Sequence, residues 1–318
     1  MQVPDLKMPS RIRVIPAYNL LLTLRMEEGE FMAQAFTLDS CKYIRSFIKR
    51  GPGGGQQLNV YAIQYTNGDK VVYVTDVIKK IIYGYSIDSI LKAISVKPVD
   101  SIPIKNQWPG RPLIIDQKKV VNFRENSSST PPIDDYRSVG VYNFFDRSGN
   151  LLSYNGKYPS TPKKIDINQL NDAFHGGMNL SEDQTRLIYA YYNTDIIDLS
   201  NKNGDLIKRI QGPDNFDPSF KWKTVPGGEK FVSTEGSRFG YSGTPRMNKN
   251  VLFVLYNGSI QDSNVYHTAR LYQFDSTLVP KVAYTLSEPV SDFDVDWDHR
   301  KIYGLTHLKD KQILVFKF

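Results

Sequence analysis

The sequence predicts an all-β chain that folds as a six-bladed β-propeller, and three observations lead to that prediction. Residues 56–96 contain four short strand-like runs with no helical periodicity between them. One such sheet buries too little apolar surface to stand alone, and similar runs recur at a spacing of about fifty residues. The composition agrees, because 20 tyrosines and 16 phenylalanines favour strands over helices.

Blades 1 and 2 are predicted from apolar runs that are separated by turn residues. Blade 1 has its runs at Arg11–Pro16, Leu20–Met26, Phe31–Asp39 and Lys42–Lys49. Blade 2 has its runs at Leu58–Tyr65, Lys70–Thr75, Lys80–Ile87 and Ile90–Val96. Between the blades lies Gly51–Gly55, which a strand follows without the Gly-Lys-Ser/Thr of a phosphate-binding loop. These glycines therefore indicate a tight crossing with positive φ angles.

Blades 3 to 6 repeat the pattern with longer insertions. Blade 3 has runs at Arg111–Ile115, Lys119–Arg124, Val139–Phe145 and Leu151–Tyr154. Blade 4 has runs at Gly177–Leu180, Arg186–Tyr192, Asp195–Leu199 and Asp205–Ile210. Blade 5 has runs at Arg238–Thr244, Val251–Tyr256, Ala269–Phe274 and Pro280–Leu286. Blade 6 has three runs, at Val290–Val295, Lys301–Thr306 and Gln312–Phe318.

Blade 6 lacks an outer strand, and Gln2–Met8 from the opposite end of the chain is predicted to supply it. Such closure removes free sheet edges, and Pro4 suits an outer edge strand. Turns at the third strands are predicted at Asp39, Asp88, Asp146, Asp198 and Asp275. The blades cover about 11–50, 56–97, 111–155, 177–211, 238–287 and 290–318 with 2–8, which predicts one domain over residues 1–318.

The segment RGPGGGQQLNVYAIQYTNGDKVVYVTDVIKKIIYGYSID resembles the NHL-type repeat, with Asp76 as the aspartate that ends the second strand. Its start, Arg50-Gly51-Pro52-Gly53, also resembles the TolB-like six-bladed propellers of Bacteroides-type bacteria. Those proteins carry Arg-Gly-x-Gly-Pro-Gly-Glu there, whereas this chain has Gly54 or Gly55 at the glutamate position and lacks the leading glycine. The resemblance implies an exported protein, in the periplasm or as an outer-membrane lipoprotein. The first residues lack the apolar core of a signal peptide, so a leader would have been removed before Met1.

Composition excludes several classes of protein. The net charge of +7 comes from scattered lysines and arginines, so no nucleic-acid partner is expected. A single cysteine, Cys41, excludes internal disulfides, cysteine-rich zinc sites and iron–sulfur clusters. No apolar run approaches the ~20 residues of a transmembrane helix.

The long insertions fall in two classes of loop that share one face of a propeller. Loops between blades and loops between second and third strands meet where the central channel opens. These insertions are Pro98–Gly110, Glu125–Arg137, Asn155–Gly176, Gln211–Ser237 and Asn257–His267. Connections on the other face are tight turns. A ligand is therefore predicted to bind at the channel mouth on the long-loop face.

Nine charged or aromatic residues near that face are the predicted ligand-binding residues: Arg50, Asp76, Trp108, Arg111, His175, Trp222, Glu235, Tyr241 and His267. Aromatic rings beside arginine suit a small molecule, a glycan or a partner protein. No catalytic residue is assigned, since the chain has no Gly-x-Ser-x-Gly and its four histidines lack metal-ligand spacing. The sequence thus predicts a non-catalytic binding module.

Two alternatives remain at this stage. One is a metal-dependent lactonase or esterase-like propeller, or a glycan-active hydrolase, and the other is a structural scaffold at the bacterial envelope. Asp292, Asp294, Asp296 and Asp298 alternate along the first strand of blade 6, so a divalent cation such as calcium at the channel is the cofactor considered. Trp297 and Tyr303 stand where an EF-hand-like loop needs glycine and glutamate, which favours solvated acidic residues.

Overall fold

The computed structural model describes residues 9–25, 29–66, 68–105, 111–123, 140–160, 170, 173–225, 228–233, 236–260, 268–306 and 313–318. Their regular secondary structure is nearly all β, and the fold is a six-bladed β-propeller, as predicted. Each blade is an antiparallel sheet whose strands follow the order of the chain. None of the helices in the described part has the length and apolar character needed to cross a membrane.

Blades 1 and 2 lie where the sequence placed them, with one correction. Blade 1 consists of β1 (Pro9–Ile15), β2 (Leu20–Arg25), β3 (Phe31–Thr37) and β4 (Tyr43–Lys49). Blade 2 consists of β5 (Val60–Tyr65), β6 (Val71–Asp76), β7 (Ile81–Ser86) and β8 (Asp100–Pro103). The fourth strand of blade 2 therefore lies inside the predicted loop 98–110, and the predicted strand Ile90–Val96 is wrong.

A short helix, α1 (Ile87–Lys92), occupies the position of that predicted strand. The Ser86 hydroxyl accepts a hydrogen bond from the Ser89 backbone N–H, which caps the helix. Asp88 lies in the first turn, where a carboxylate is favoured by the helix dipole. Ile87 and Ile90, three positions apart, share one face of the helix and are both fully buried.

The remaining blades match the predicted runs to within a few residues. Blade 3 has β9 (Leu113–Ile114), β10 (Lys119–Phe123), β11 (Tyr142–Asp146) and β12 (Leu151–Asn155). Blade 4 has β13 (Gly176–Leu180), β14 (Arg186–Tyr191), β15 (Ile196–Asn201) and β16 (Leu206–Gln211). The segment 211–237, predicted as a loop, contains a hairpin of β17 (Phe220–Val225) and β18 (Gly228–Ser233).

Blades 5 and 6 have four and three strands in the described part of the chain. Blade 5 has β19 (Tyr241–Met247), β20 (Val251–Tyr256), β21 (Thr268–Asp275) and β22 (Pro280–Val290). Blade 6 has β23 (Asp292–Asp296), β24 (Lys301–Leu305) and β25 (Ile313–Lys317). The predicted closing strand, Gln2–Met8, and the loop Glu125–Arg137 lie outside the described residues. The expectation of a single domain over the whole chain stays a prediction.

The chain forms two compact units. Unit 1 comprises Met1–Asn122, Phe145–Leu151 and Glu288–Phe318, and unit 2 comprises Phe123–Phe144 and Leu152–Ser287. In unit 1, separate apolar clusters fill the spaces between blades 6 and 1, between blades 1 and 2, and between blades 2 and 3. In unit 2, a cluster fills the space between blades 4 and 5.

The first strands of neighbouring blades contact each other within each unit, β23 with β1, β1 with β5, and β13 with β19. Side chains, rather than a continuous backbone ladder, join them. An Asp292 oxygen accepts the Ile12 N–H at 3.2 Å, and an Asp294 oxygen accepts the Val14 N–H at 2.7 Å. The expectation that the aspartates of this strand are solvated is wrong for Asp292, Asp294 and Asp296, which are buried, whereas Asp298 is exposed.

The same device joins other neighbouring first strands. The Gln64 side chain on β5 donates to the Ile114 carbonyl at 2.8 Å and accepts the Ile114 N–H at 2.7 Å. In unit 2, the Asn179 amide on β13 donates to the Pro245 carbonyl of β19 at 2.9 Å. These polar side chains therefore satisfy backbone groups that would otherwise be left at an open sheet edge.

In three blades, the residue that ends the third strand accepts hydrogen bonds from backbone N–H groups two and four positions later. These residues are Asp146, Asn201 and Asp275, and they build the tight turns between third and fourth strands. The predictions for Asp146 and Asp275 are thus confirmed. The prediction for Asp198 is wrong, because the buried Asp198 lies within β15 and forms an ion pair with the half-buried Arg209 at 2.6 Å.

The glycine-rich crossing between blades 1 and 2 folds around a lysine. The Lys79 ammonium donates to the carbonyls of Pro52 and Gly53, both at 3.3 Å, and to the Gln56 carbonyl at 2.7 Å. Gly55 has a φ of 76°, as expected for a tight crossing. These contacts and the positive φ of Gly55 agree with the interpretation of this segment as a tight crossing between blades.

We expect Asp294→Ala to lower the free energy of unfolding by about 3 kcal/mol, because it removes the acceptor of the Val14 N–H and the Arg13 ion-pair partner at 3.3 Å. Asp294→Asn keeps one acceptor oxygen and should lose less. Asp298→Ala, at an exposed carboxylate just beyond the strand, should stay within about 0.5 kcal/mol of wild type. Urea unfolding measures all three variants, and equal effects of the two alanine substitutions would contradict the assigned role of Asp294.

We expect Cys41 to resist thiol reagents in the folded protein. Its side chain is 1% exposed in the core between blades 6 and 1, and burial raises the pKa of the thiol to about 11. Since the reactive thiolate is scarce and inaccessible, a disulfide reagent at pH 8 should label native protein slowly and urea-unfolded protein at once. The raised pKa also predicts stability that is present below pH 9 and is lost as the pH rises through about 11. Rapid labelling under native conditions would exclude this packing.

Candidate functional site

Three successive first strands of unit 1 bring two arginines and a tyrosine together where the strands begin. Arg11 lies near the start of β1, Tyr61 near the start of β5, and Arg111 just before β9. Both guanidinium carbons lie 5.1 Å from the centre of the Tyr61 ring. The Arg111 guanidinium also donates to the Tyr61 hydroxyl at 3.3 Å. We call this group the Arg–Tyr–Arg cluster.

The cluster concentrates positive charge at the side of the sheets that carries the between-blade loops. All three side chains are half-buried, so solvent reaches them while their surroundings restrict their motion. The Arg11 guanidinium donates to the Ser10 carbonyl at 2.6 Å, which fixes its position on β1. Guanidinium groups held this way are suited to carboxylate, sulfate or phosphate oxygens, which they bind in a bidentate manner.

A third arginine on the same strand has a different role. The Arg13 guanidinium donates to the Tyr65 carbonyl at 2.8 Å and pairs with Asp294 at 3.3 Å. Its side chain is only 13% exposed. Arg13 therefore links β23, β1 and β5, and the charge of Asp294 balances its own charge.

Asp76, predicted to bind ligand, holds a loop in place in the structure. Its buried carboxylate accepts the Leu58 N–H at 2.6 Å and the Ile78 and Lys79 N–H groups at 3.0 Å. These bonds join the end of β6 to the segment that leads into β5. Asp195 of blade 4 also holds a loop in place, because its carboxylate accepts hydrogen bonds from the backbone N–H groups of Asp214 and Asn215, at 2.9 and 2.7 Å.

Arg50 contributes to the same loop region of blade 2. Its guanidinium donates to the Gly29 carbonyl at 3.1 Å and to the Leu58 carbonyl at 3.3 Å. The structure therefore brings Arg50 and Asp76 to one segment, since both contact the backbone of Leu58. Their predicted contact with a ligand stays a prediction.

His175 and Tyr241 lie in unit 2, near the starts of β13 and β19. The His175 ring packs on the Tyr192 ring with a centroid distance of 5.0 Å. The Tyr241 ring is 1% exposed and belongs to the core between blades 4 and 5. Burial, and then the charge of Asp195, raises the pKa of Tyr241 far above its usual value, so the hydroxyl stays protonated.

The other predicted ligand-binding residues have no described side chains. Trp108, Glu235 and His267 lie outside the described residues. Trp222 lies in β17, of which only the backbone is described. Sequence reasoning found Arg111 but missed Arg11 and Tyr61, although both stand near the start of a first strand. That position was the signal, because the between-blade loops lead into the starts of first strands.

No group of three or more His, Cys, Asp or Glu side chains within the described ranges is arranged to hold a metal ion. At the aspartate-rich strand β23, the oxygens of Asp292 and Asp294 bind backbone N–H groups of β1 instead. Asp296 accepts the His299 backbone N–H at 3.1 Å and contacts its ring at 2.8 Å. The alternation of these aspartates therefore has a structural cause.

A family model described as TolB-like 6-blade propeller-like matches residues 6–298. No curated protein matches the chain. The resemblance to the NHL-type repeat is not confirmed by these comparisons.

Several solved structures share the fold at low identity. A member of the DUF4221 family from Bacteroides vulgatus is 7% identical, with a TM-score of 0.66 over 99% of this chain and 94% of its own. A protein from Bacteroides fragilis, described as exported, is 13% identical, with a TM-score of 0.56 over 96% of this chain and 80% of its own. The WD40 repeats of RRP9 are 9% identical, with a TM-score of 0.53 over 95% of this chain and 74% of theirs. At such identities the likeness concerns the fold alone.

Proposed function

We propose that this chain, which belongs to the family of TolB-like six-bladed propellers, is a non-catalytic binding protein that engages an acidic ligand on its long-loop face, at the mouth of the central channel. The observation that carries the proposal is the Arg–Tyr–Arg cluster, in which three neighbouring first strands place two guanidinium groups 5.1 Å from one tyrosine ring.

The chemistry of the cluster defines the class of ligand. Two half-buried guanidinium groups favour a ligand with carboxylate or sulfate groups, such as an acidic glycan or an acidic segment of a protein. Half-burial strengthens each charge-assisted hydrogen bond relative to one made in full solvent. The net charge of +7 would add long-range attraction for such ligands.

A binding role also agrees with how the neighbouring carboxylates are used. Asp76 and Asp294 have backbone N–H groups as hydrogen-bond partners, which favours a structural role for both. A propeller that binds rather than reacts needs only a rigid scaffold and a complementary surface.

The proposed place of action is outside the cytoplasm, in the periplasm or at the outer membrane. Two features support it: the likeness to a Bacteroides fragilis protein described as exported, and a chain with one buried cysteine and no dependence on disulfides. Fractionation of the native host, with detection of the protein in the envelope fraction, tests this location. Recovery in the cytoplasmic fraction alone would overturn it.

The ligand class is tested with oligogalacturonate, a carboxylate-bearing glycan, against the same oligomer fully methyl-esterified as a neutral control. Oligoglutamate serves as the acidic peptide. We expect calorimetry to show binding of one or both acidic probes and none of the ester. Arg11→Ala/Arg111→Ala should weaken binding by about 100-fold, because two charge-assisted contacts are lost, and should reduce its dependence on salt.

A charge-matched variant separates the cluster from net charge. Lys202→Ala/Lys249→Ala also removes two positive charges, but from exposed positions on blades 4 and 5. It should change the affinity by less than about threefold. Arg11→Lys/Arg111→Lys keeps the charge and loses the bidentate geometry, so we expect an intermediate affinity. Equal losses in the two alanine pairs, or no binding of either acidic probe, would refute the proposal.

A further inference from the structure

The core between blades 4 and 5 continues into a cavity of about 550 Å³. Both blades belong to unit 2. Five buried or half-buried apolar residues line the cavity: Ile210, Tyr241, Tyr272, Phe274 and Leu278. Exposed residues of β22 form its rim, so it opens to solvent; they are Lys281, whose ammonium pairs with Asp275 at 3.0 Å, Val282 and Ala283. Its volume falls within the range of about 300–1,000 Å³ that is typical of small-molecule sites.

The strand β16 explains why one wall of the cavity is apolar. Alternate residues of this strand face blade 5, and the Lys208 ammonium marks that face by donating to the Thr277 carbonyl at 2.7 Å. Ile210, two positions later, therefore points to the same side and lines the cavity. Gly212 then lets the chain pass the Tyr241 hydroxyl, because a Cβ at this position would lie 2.9 Å from that oxygen.

Tyr241 lines the cavity and carries a buried hydroxyl that lies beside Gly212, another lining residue. Its side chain is 1% exposed, and its hydroxyl has no hydrogen-bond partner in the part of the chain that the structure describes. A buried hydroxyl without a partner is costly, and a ligand oxygen would remove that cost. Burial and the charge of Asp195 raise the pKa of Tyr241, so the hydroxyl carries a proton to donate.

The ring systems of the wall favour a flat ligand. Tyr272 stacks on Tyr256 with a centroid distance of 5.1 Å, and Tyr241 meets Tyr256 edge-on at 5.3 Å. These contacts hold the two cavity-lining rings in fixed orientations. The carboxylate of Asp195, which acts on the Tyr241 hydroxyl, disfavours an anionic group at that end of the cavity.

We infer that this cavity is a second ligand site, for a flat and uncharged ring compound whose carbonyl, ether or hydroxyl oxygen accepts a hydrogen bond from Tyr241. The site differs in place and chemistry from the Arg–Tyr–Arg cluster, whose proposed ligand is acidic. It does not depend on the function proposed above.

The test uses Nile red, an uncharged planar dye with a carbonyl oxygen, whose fluorescence rises in an apolar site. We expect saturable binding of one equivalent to the full chain. Tyr241→Phe should weaken binding about three- to tenfold, the effect of one hydrogen bond. Ala283→Trp, at an exposed lining position, should abolish binding by filling the cavity.

Tyr284→Phe is the matched control, since Tyr284 lies on β22 and its hydroxyl donates to the Gln273 side chain at 2.8 Å. This variant should bind the dye as wild type does, and so should Arg11→Ala/Arg111→Ala. Binding that is absent, or that is unaffected by both Tyr241→Phe and Ala283→Trp, would overturn the inference.

Thermal unfolding without dye gives an independent readout. Tyr241→Phe should not lower the melting temperature, because the hydroxyl loses no partner, whereas Tyr284→Phe should lower it. With dye, the stabilisation of the Tyr241→Phe protein should be smaller than that of wild type. A melting temperature lowered by Tyr241→Phe would show that the hydroxyl serves the protein's own structure and would overturn its assignment to a ligand.

Discussion

The first strand of each blade has one edge that no strand of its own sheet can pair, and this open edge constrains the rest of the structure. A backbone N–H or C=O group left there without a partner costs free energy. The protein meets the constraint with side chains, as when Asp292 and Asp294 accept the N–H groups of Ile12 and Val14. The Gln64 and Asn179 side chains likewise form hydrogen bonds with backbone groups of Ile114 in β9 and Pro245 in β19. Neighbouring blades are thereby joined at their first strands as well as through the apolar clusters between them.

This constraint also explains the structural role of several charged residues near the first strands. Carboxylates near the first strands are occupied by backbone N–H groups, as with Asp76 and Asp294, and Arg13 is balanced by Asp294. Arg11 and Arg111 meet at the Tyr61 ring, where the first strands of blades 1 to 3 begin. The functional proposal rests on this clustering, since two guanidinium groups held close together suit the oxygens of an acidic ligand.

The two proposed sites reflect two kinds of packing in the same fold. Between first strands, the groups that meet are polar, so the site there is charged. Between blades 4 and 5, apolar side chains such as Ile210 and Phe274 line a cavity beside Tyr241. A protein with both sites could bind an acidic partner and a neutral ring compound at the same time, because different residues form them.

The sequence by itself determined what depends on neighbours in the chain. Alternation of period two located the strands. The turns could be predicted because Asp146 and Asp275 accept hydrogen bonds from backbone N–H groups only a few residues away. The helix α1 could not be predicted in this way, because its apolar run suits a strand equally well. The Ser86 cap and the burial of Ile87 and Ile90 favour the helix in the folded protein. Only the tertiary structure could pair Asp292 with Ile12, which lies 280 residues away, gather Arg11, Tyr61 and Arg111, or open a cavity at Tyr241. Those contacts depend on how the sheets pack, and local propensity carries no information about packing.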